Sequence, residues 1–326
     1  MLAVPTIAAT QHTGTASPRP RLLARAYQPR GASEDTETFS RTFKVGRGSS
    51  LFLTNVAGDL TVTGGPGDEI KIDAVKRTRA REAATKEDLA RASIEASERG
   101  GRVEVRTVYS GRHNQVSVDF TVRVPSDASV DLKSVSGDIK LSNVTGEARA
   151  ESVSGRVSAS GVGRVASVKS VSGDVDLTDV KANGDLTANS VSGHVQAKGI
   201  KARSIDASTV SGDLLLDDMT CERVTSKSVS GSLEYSGPLA RSGRYELHSH
   251  SGTIRLRLAG DTGFELEANS FSGTIRSDLP LTLHTTDSGD ERRHGPHRRA
   301  IRGTFGDGSA LITLQTFSGD ILVSKR

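Results

Sequence analysis

The sequence predicts an all-β fold, a β-solenoid in which coils of about 18–21 residues stack along one axis. Three observations carry that prediction. The phrase Ser-Val-Ser-Gly starts at Ser134, Ser152, Ser170, Ser190 and Ser228, with variants at Thr209, Ser249, Ser270 and Thr316. Its glycines are separated by 18, 18, 20, 19, 19, 21, 21 and 46 residues, and a fixed period near 20 marks a stacked-repeat architecture. Apolar residues advance in steps of 4, 2, 3 and 4 from Val135 through Ile139, Leu141 and Val144 to Ala148, and the pattern continues. A step of 2 is strand alternation, and steps of 3 and 4 turn corners. β-Branched residues with a glycine in every coil argue against a helix. Finally, aromatic residues make up 4% of the 326 residues and Trp is absent, which suits a narrow core of Val, Ile, Leu and Ala.

The elements follow in order. Residues 1–40 open with Leu2-Ala3-Val4-Pro5-Thr6-Ile7-Ala8-Ala9, similar to the tail of a secretory signal that lacks its basic part and most of its apolar part. Two readings stand: a signal remnant whose true start lies upstream, or a disordered tail. In both, residues 10–37 read as disordered. Residues 41–133 form a β-rich N-terminal cap module. It holds strands at 41–45, 51–55, 59–63 and 69–76, one short amphipathic helix at 79–92, a hairpin of 93–97 and 102–109, and an alternating strand at 116–124. Residues 134–326 are the solenoid repeats. Their apolar steps place the valine of each Ser-Val-Ser-Gly in the core and its serines outside, with glycine at a corner. Asn183-Gly184 is a corner insertion, and Ile205 and Val224 arrive one step late without breaking the core column. A basic loop occupies 286–302. Strands within 303–323 close the far end, because an open coil offers unpaired edges.

The segments NVAGDLTVTGGPGDEIKIDA from Asn55, VPSDASVDLKSVSGDIKL from Val124, the SVSGD repeats and FGDGSALITLQTFSGDILV from Phe305 point to a family. Together they resemble the bacterial putative-adhesin family of β-strand-repeat proteins of unknown function, over about residues 40–326. The resemblance implies a single-stranded, right-handed β-helix in an exported or cell-envelope protein, and it implies no catalytic residues.

Candidate chemistry is sparse. The column after each glycine mixes Asp138, Arg156, Asp174, His194, Asp213, Ser232, Thr253, Thr274 and Asp320, and an arginine opposes a calcium roll. Rows of Ser and Thr hydroxyls offer a glycan surface or simply a soluble one. His248 and His250 share a strand face, with His284, His294 and His297 further on, but no acid or Cys partner has zinc spacing. The basic run Arg292, Arg293, His294, His297, Arg298, Arg299 and Arg302 suits an anion or partner contact. It lacks the aromatic interleaving of single-stranded nucleic-acid binders, so nucleic acid is disfavoured. Asp176, Asp206 and Glu234 are the nearest outward carboxylates to a glycosidase pair. Cys221 stands alone and reads as a small apolar filler. No stretch of 18 apolar residues encodes a membrane span.

The resulting expectation is a non-enzymatic, cofactor-free solenoid that is periplasmic, cell-surface or secreted, with the cytoplasm left open. It presents a structural or adhesive surface to cell-surface polysaccharide or another envelope protein. The alternatives are a polysaccharide-binding or polysaccharide-cleaving β-helix and an envelope-stress interaction module.

Overall fold

The computed structural model describes residues 36–78, 89–110, 116–182, 184–284 and 299–326. The N-terminal module holds β1 (Thr36–Lys44), β2 (Ser50–Ala57), β3 (Leu60–Gly65), β4 (Glu69–Thr78), β5 (Ala92–Arg99), β6 (Arg102–Tyr109) and β7 (Val116–Pro125). Long and short strands then alternate. The first pairs are β8 (Ser129–Ser136) with β9 (Ile139–Ser142), β10 (Glu147–Ser154) with β11 (Val157–Ser160), and β12 (Arg164–Ser172) with β13 (Val175–Thr178). Next come β14 (Asp185–Ser192), β15 (Val195–Lys198), β16 (Lys201–Ser211), β17 (Leu214–Asp217), β18 (Thr220–Ser230), β19 (Leu233–Pro238), β20 (Arg244–Ser251) and β21 (Ile254–Ala259). The chain ends in β22 (Phe264–Ser272), β23 (Ile275–Ser277), β24 (Thr282–Leu283), β25 (Arg299–Phe305), β26 (Ala310–Ser318) and β27 (Ile321–Lys325).

Each coil gives its long strand to a 14-stranded sheet and its short strand to a 13-stranded sheet. Coil-to-coil pairing is parallel and in register. Ser134, Ser152 and Ser170 stand side by side, as do Ile139, Val157 and Val175. A coil is therefore not one nine-residue unit used twice, since an 8-residue strand faces a 4-residue one. Between the sheets lies a continuous apolar core from Leu51 to Val323. Leu186, Ile205 and Val224 stack in one column, so the insertion before them leaves the core intact. Cys221 is buried in that core, and burial pushes its thiol up to about 11.

The valine of the repeat phrase is not in the core. Val171 is 46% exposed, whereas Ser170 is 4% exposed, and every copy of the phrase repeats this pattern. The physical reason is that the long strand runs straight on through the phrase. Alternation from the buried Val130 and Leu132 brings Ser134 inward and Val135 outward, and the corner comes only at Gly137.

Neither end of the stack follows chain order. The coil β2–β3 contains the degenerate phrase Asn55-Val56-Ala57-Gly58 and pairs in parallel with β8–β9 on one side and β6–β7 on the other. At the far end, the coil β26–β27 lies between β20–β21 and β22–β23. Of the strands expected within 303–323 to close the end, β26 and β27 thus lie one layer in, while residues 303–305 of β25 do pack on the outside. The outermost coil is β22–β23, on which β25 and then β24 pack antiparallel. The opposite end is covered likewise by β4 on β7, β1 on β4, and β5 on β6.

Two further expectations are revised or left aside. The supposed tail already forms β1 from Thr36, because Phe39 and Phe43 pack against the core. The helix expected at 79–92 lies largely outside the described residues; within them Leu89 and Ala90 are helical and β5 begins at Ala92. Among the described residues no helix is long and apolar enough to cross a membrane.

Candidate functional site: a groove along the coils

The groove begins with the glycine. A Cβ added at Gly137 would collide with the carbonyl oxygen of Gly58, and one at Gly155 with that of Gly137. The same contact recurs up the stack, so each corner sits directly on the corner below. In six of the nine copies the first hydroxyl of the phrase donates to that stacked carbonyl, and the Oγ atoms of Ser134, Ser228 and Ser249 have no partner. Ser170 Oγ reaches Gly155 O at 3.1 Å, Ser190 Oγ reaches Gly173 O at 2.9 Å, and Thr209 Oγ1 reaches Gly193 O at 3.0 Å. This explains why a small polar residue, and not the valine, faces inward. A hydroxyl satisfies a carbonyl that the glycine corner leaves accessible, and burying a polar group without a partner is costly.

The valines form the outer consequence. Val135, Val153, Val171, Val191, Val210 and Val229 stand one above another, each 45–49% exposed. Register continues the row into His250, Phe317 and Phe271. These rings stack in turn, with centroids 5.1 Å apart for His250–Phe317 and 4.8 Å for Phe271–Phe317. Two residues earlier on each long strand stands a polar column that includes Lys133, Glu151, Lys169, Asn189, Ser208, Lys227 and His248. Between the two outward columns lies the buried hydroxyl column. Together they line a long groove of about 1320 Å³ that runs along the stack.

At its N-terminal end Asn55 takes the place of the serine. Its Nδ2 donates to Ala57 O, Gly58 O and Val118 O, and its Oδ1 accepts from Thr107 Oγ1 at 2.9 Å. The amide spans two layers where a hydroxyl reaches one.

The column after the glycine is architectural. Asp138 accepts the N–H of Arg156 at 2.9 Å, Asp174 that of His194 at 3.0 Å, and Asp213 that of Ser232 at 2.8 Å. His194 Nδ1 accepts the Asp213 N–H at 3.0 Å, so even the histidine serves the corner. Arg156 has a reason to interrupt the acids, since it pairs with Asp174 at 2.9 Å and Asp176 at 3.3 Å. The His194 amide, and then Arg156, hold the Asp174 carboxyl below its usual range, whereas burial raises that of Asp176. Among the described residues no three or more His, Cys, Asp or Glu side chains are arranged to hold a metal.

The other expected sites are placed as follows. His248 and His250 do share a face, one in each wall of the groove. His284 is remote from them and bonds Thr304 Oγ1 at 2.7 Å. Arg292, Arg293, His294, His297 and Arg298 lie outside the described residues. Arg299 is exposed at the start of β25, and Arg302 on the same strand pairs with Glu267 at 2.9 Å. Asp176 and Glu234 sit on the short-strand sheet and Asp206 on the other, so the three do not converge. The valine row was not read as a surface in the sequence. Its signal was the variants, where His250, Phe271 and Phe317 occupy the valine position in a chain whose narrow core has little room for rings.

The arrangement defines a class: a two-sheet parallel β-solenoid with one grooved, half-apolar face. The chain belongs to the Toastrack DUF4097 family, whose pattern spans residues 49–324. No curated protein matches it. Among solved structures it is similar to a putative adhesin from Bacteroides fragilis, at 11% identity over 89% of this chain and 97% of that one, with a TM-score of 0.44. A putative adhesin from Parabacteroides distasonis matches at 10% identity over 89% and 97% of the two chains, with a TM-score of 0.42. A putative cell adhesion protein from Clostridium sporogenes matches at 11% identity over 90% and 100%, with a TM-score of 0.25.

Proposed function

We propose that the protein is a non-enzymatic interaction scaffold of the cell envelope or exterior, wound as a single right-handed chain, and that the groove is its adhesive surface. The cap strands lie within residues 36–125, which also hold the first coil β2–β3, and the regular coils run from Ser129. The partner is a cell-surface polysaccharide or another envelope component. The observation that carries the reading is the unbroken outward row from Val135 to Phe271. Isolated exposed apolar residues need no explanation, but contiguous ones mark interaction surfaces. Each half-exposed valine forgoes roughly 1 kcal/mol of burial. Over six layers this is about 6 kcal/mol, at the low end of the net stability of a domain, about 5–15 kcal/mol. Packing of each valine on the next recovers part of it.

The combined variant Val171→Thr, Val191→Thr, Val210→Thr keeps side-chain shape and strand preference but removes the apolar strip. It is expected to keep the wild-type unfolding midpoint and to lose co-sedimentation with envelope preparations. Undiminished sedimentation would remove the groove from this role. Turnover of a purified glycan, lost on changing one carboxylate, would overturn the non-enzymatic reading. Cell fractionation tests the compartment.

A further inference from the structure

The groove also specifies what kind of molecule fits it, an argument that rests on the groove being the binding surface. We propose that it takes a single acyl chain bearing one anionic headgroup, with the headgroup at Lys227 and His248 and the chain laid along the valines toward Val135.

From Ser152 to Thr209 the groove floor offers no free hydroxyl, whereas Ser228 Oγ and Ser249 Oγ, beside Lys227 and His248, and Ser134 Oγ at the far end have no hydrogen-bond partner. Backbone groups of the inner coils are spent along the stack, including at the corners, where Gly155 N–H meets Ser172 O at 3.2 Å and Val157 N–H meets Asp174 O at 2.9 Å. The hydroxyls of Ser170, Ser190 and Thr209 are spent on glycine carbonyls. A peptide laid along that middle stretch would find no free hydroxyl on the floor for its amides, and strand addition needs an open sheet edge. A hydrocarbon chain needs no such partners and gains from leaving water.

Dimensions agree. The two outward columns are alternate residues of one strand, about 7 Å apart, which is one chain wide. Layers rise by about 4.8 Å, so Val229 to Val135 spans roughly 24 Å. One leaflet of a bilayer, the depth a single acyl chain fills, is about 15 Å, so the row is long enough for one chain with about two layers to spare.

Charge fixes the headgroup. Lys133 and Lys169 both face Glu151, at 3.8 and 4.0 Å. Lys227 has no ion-pair partner among the described residues, and its register neighbours are Ser208 and His248. Two basic side chains on successive layers, beside the point where valine gives way to His250, are thus left for an anion. Beyond them the strip holds only Phe317 and Phe271, so the long run of valines takes the chain.

The test is calorimetric titration of the full chain with palmitate below its micellar concentration, with butyrate and with monopalmitoylglycerol, which has the same chain but no charge. Saturable binding of one palmitate per chain is expected, with none detected for butyrate. Val171→Thr with Val191→Thr should weaken palmitate about tenfold or more. Lys227→Gln should weaken palmitate by a few-fold and leave monopalmitoylglycerol unchanged. A photoreactive palmitate should label peptides from β10 to β18 in the wild-type chain, a readout independent of any variant's folding. Absence of palmitate binding, labelling elsewhere, or equal effects of Lys227→Gln on both lipids overturns the proposal. So does binding to phosphatidylglycerol vesicles without binding of palmitate, which would make the groove a membrane contact. If palmitate fails while the valine variant still loses envelope sedimentation, the groove keeps its role and only the acyl ligand falls.

Discussion

At Gly231, φ is +143°, and an added Cβ would overlap the carbonyl oxygen of Gly212. Both the conformation and the space exclude a side chain. Gly231→Ala is expected to destabilise the protein by about 3 kcal/mol or more, read by denaturant unfolding, because backbone strain and overpacking add. Its neighbours behave differently. Ser170→Ala removes one hydroxyl bond to Gly155 O and is expected to lower stability by about 1 kcal/mol. Val171→Ser changes a half-exposed, outward residue and should cost about 1 kcal/mol. A valine in the core would instead give a loss of several-fold more, so the pair tests which residue faces inward. This parity was the part of the site that the sequence hid. Apolar residues usually go inside, and Ser and Val both suit a strand, so the preference for burying Val outweighed the alternation that Val130 and Leu132 already set. What reverses it is a hydrogen bond to a glycine carbonyl in another coil, a contact invisible along one strand.

At the scale of the corner, carboxylates tie one layer to the next. Asp174 and Asp320 are lowered chiefly by the backbone amides they accept, from His194 and Thr274. On the long-strand sheet Asp185 is lowered to about 2 by its hydrogen bonds with Arg203 and Ser204. Each is depressed in the folded chain, so its contribution is complete above the unfolded value of 3.8 and is lost as pH falls through the folded value. Asp176 is raised by burial and opposes this trend. The net expectation is a midpoint of urea unfolding that is flat above pH 5 and falls between about pH 4 and pH 2. In Asp174→Ala that fall should be shallower. A midpoint unchanged down to pH 2 would show that the corner column contributes nothing. Here the sequence was informative: the mixed column of Asp, Arg and His argued for a solvated corner column, and the same residues are seen as interlayer hydrogen-bond acceptors with one arginine between acids.

For the whole molecule, near-identical layers predict modular behaviour. Deleting residues 156–193 joins Gly155 to His194 and removes two whole coils from the interior. The shortened chain is expected to fold cooperatively with the same far-ultraviolet signature, since each layer contacts only its neighbours. Removing residues 310–326 is different. It deletes β26–β27 and leaves the coils on both sides of it without their partner. Amide exchange should then become fast throughout β22 and β20 while β10–β14 stay protected. Fast exchange confined to the last few residues would contradict the inserted position. The period of the repeat made the stack legible in the sequence, and the break of 46 residues marked the irregular end. The order of the last layers was not legible. The phrases at Ser249, Ser270 and Thr316 offer the same pairing edge, so nothing local says which coil takes which partner.

That inserted coil has a bearing on time as well as on space. A solenoid wound in chain order can gain a layer for every twenty or so residues delivered, much as a rope coils while it is paid out. This one cannot finish so. The coil β22–β23 precedes β26–β27 in the chain but has nothing to rest on until those two strands arrive to fill the layer beneath it. For a chain emerging from a ribosome or a translocation pore, those layers close out of chain order, and the later-made coil is the one that locks the two beside it.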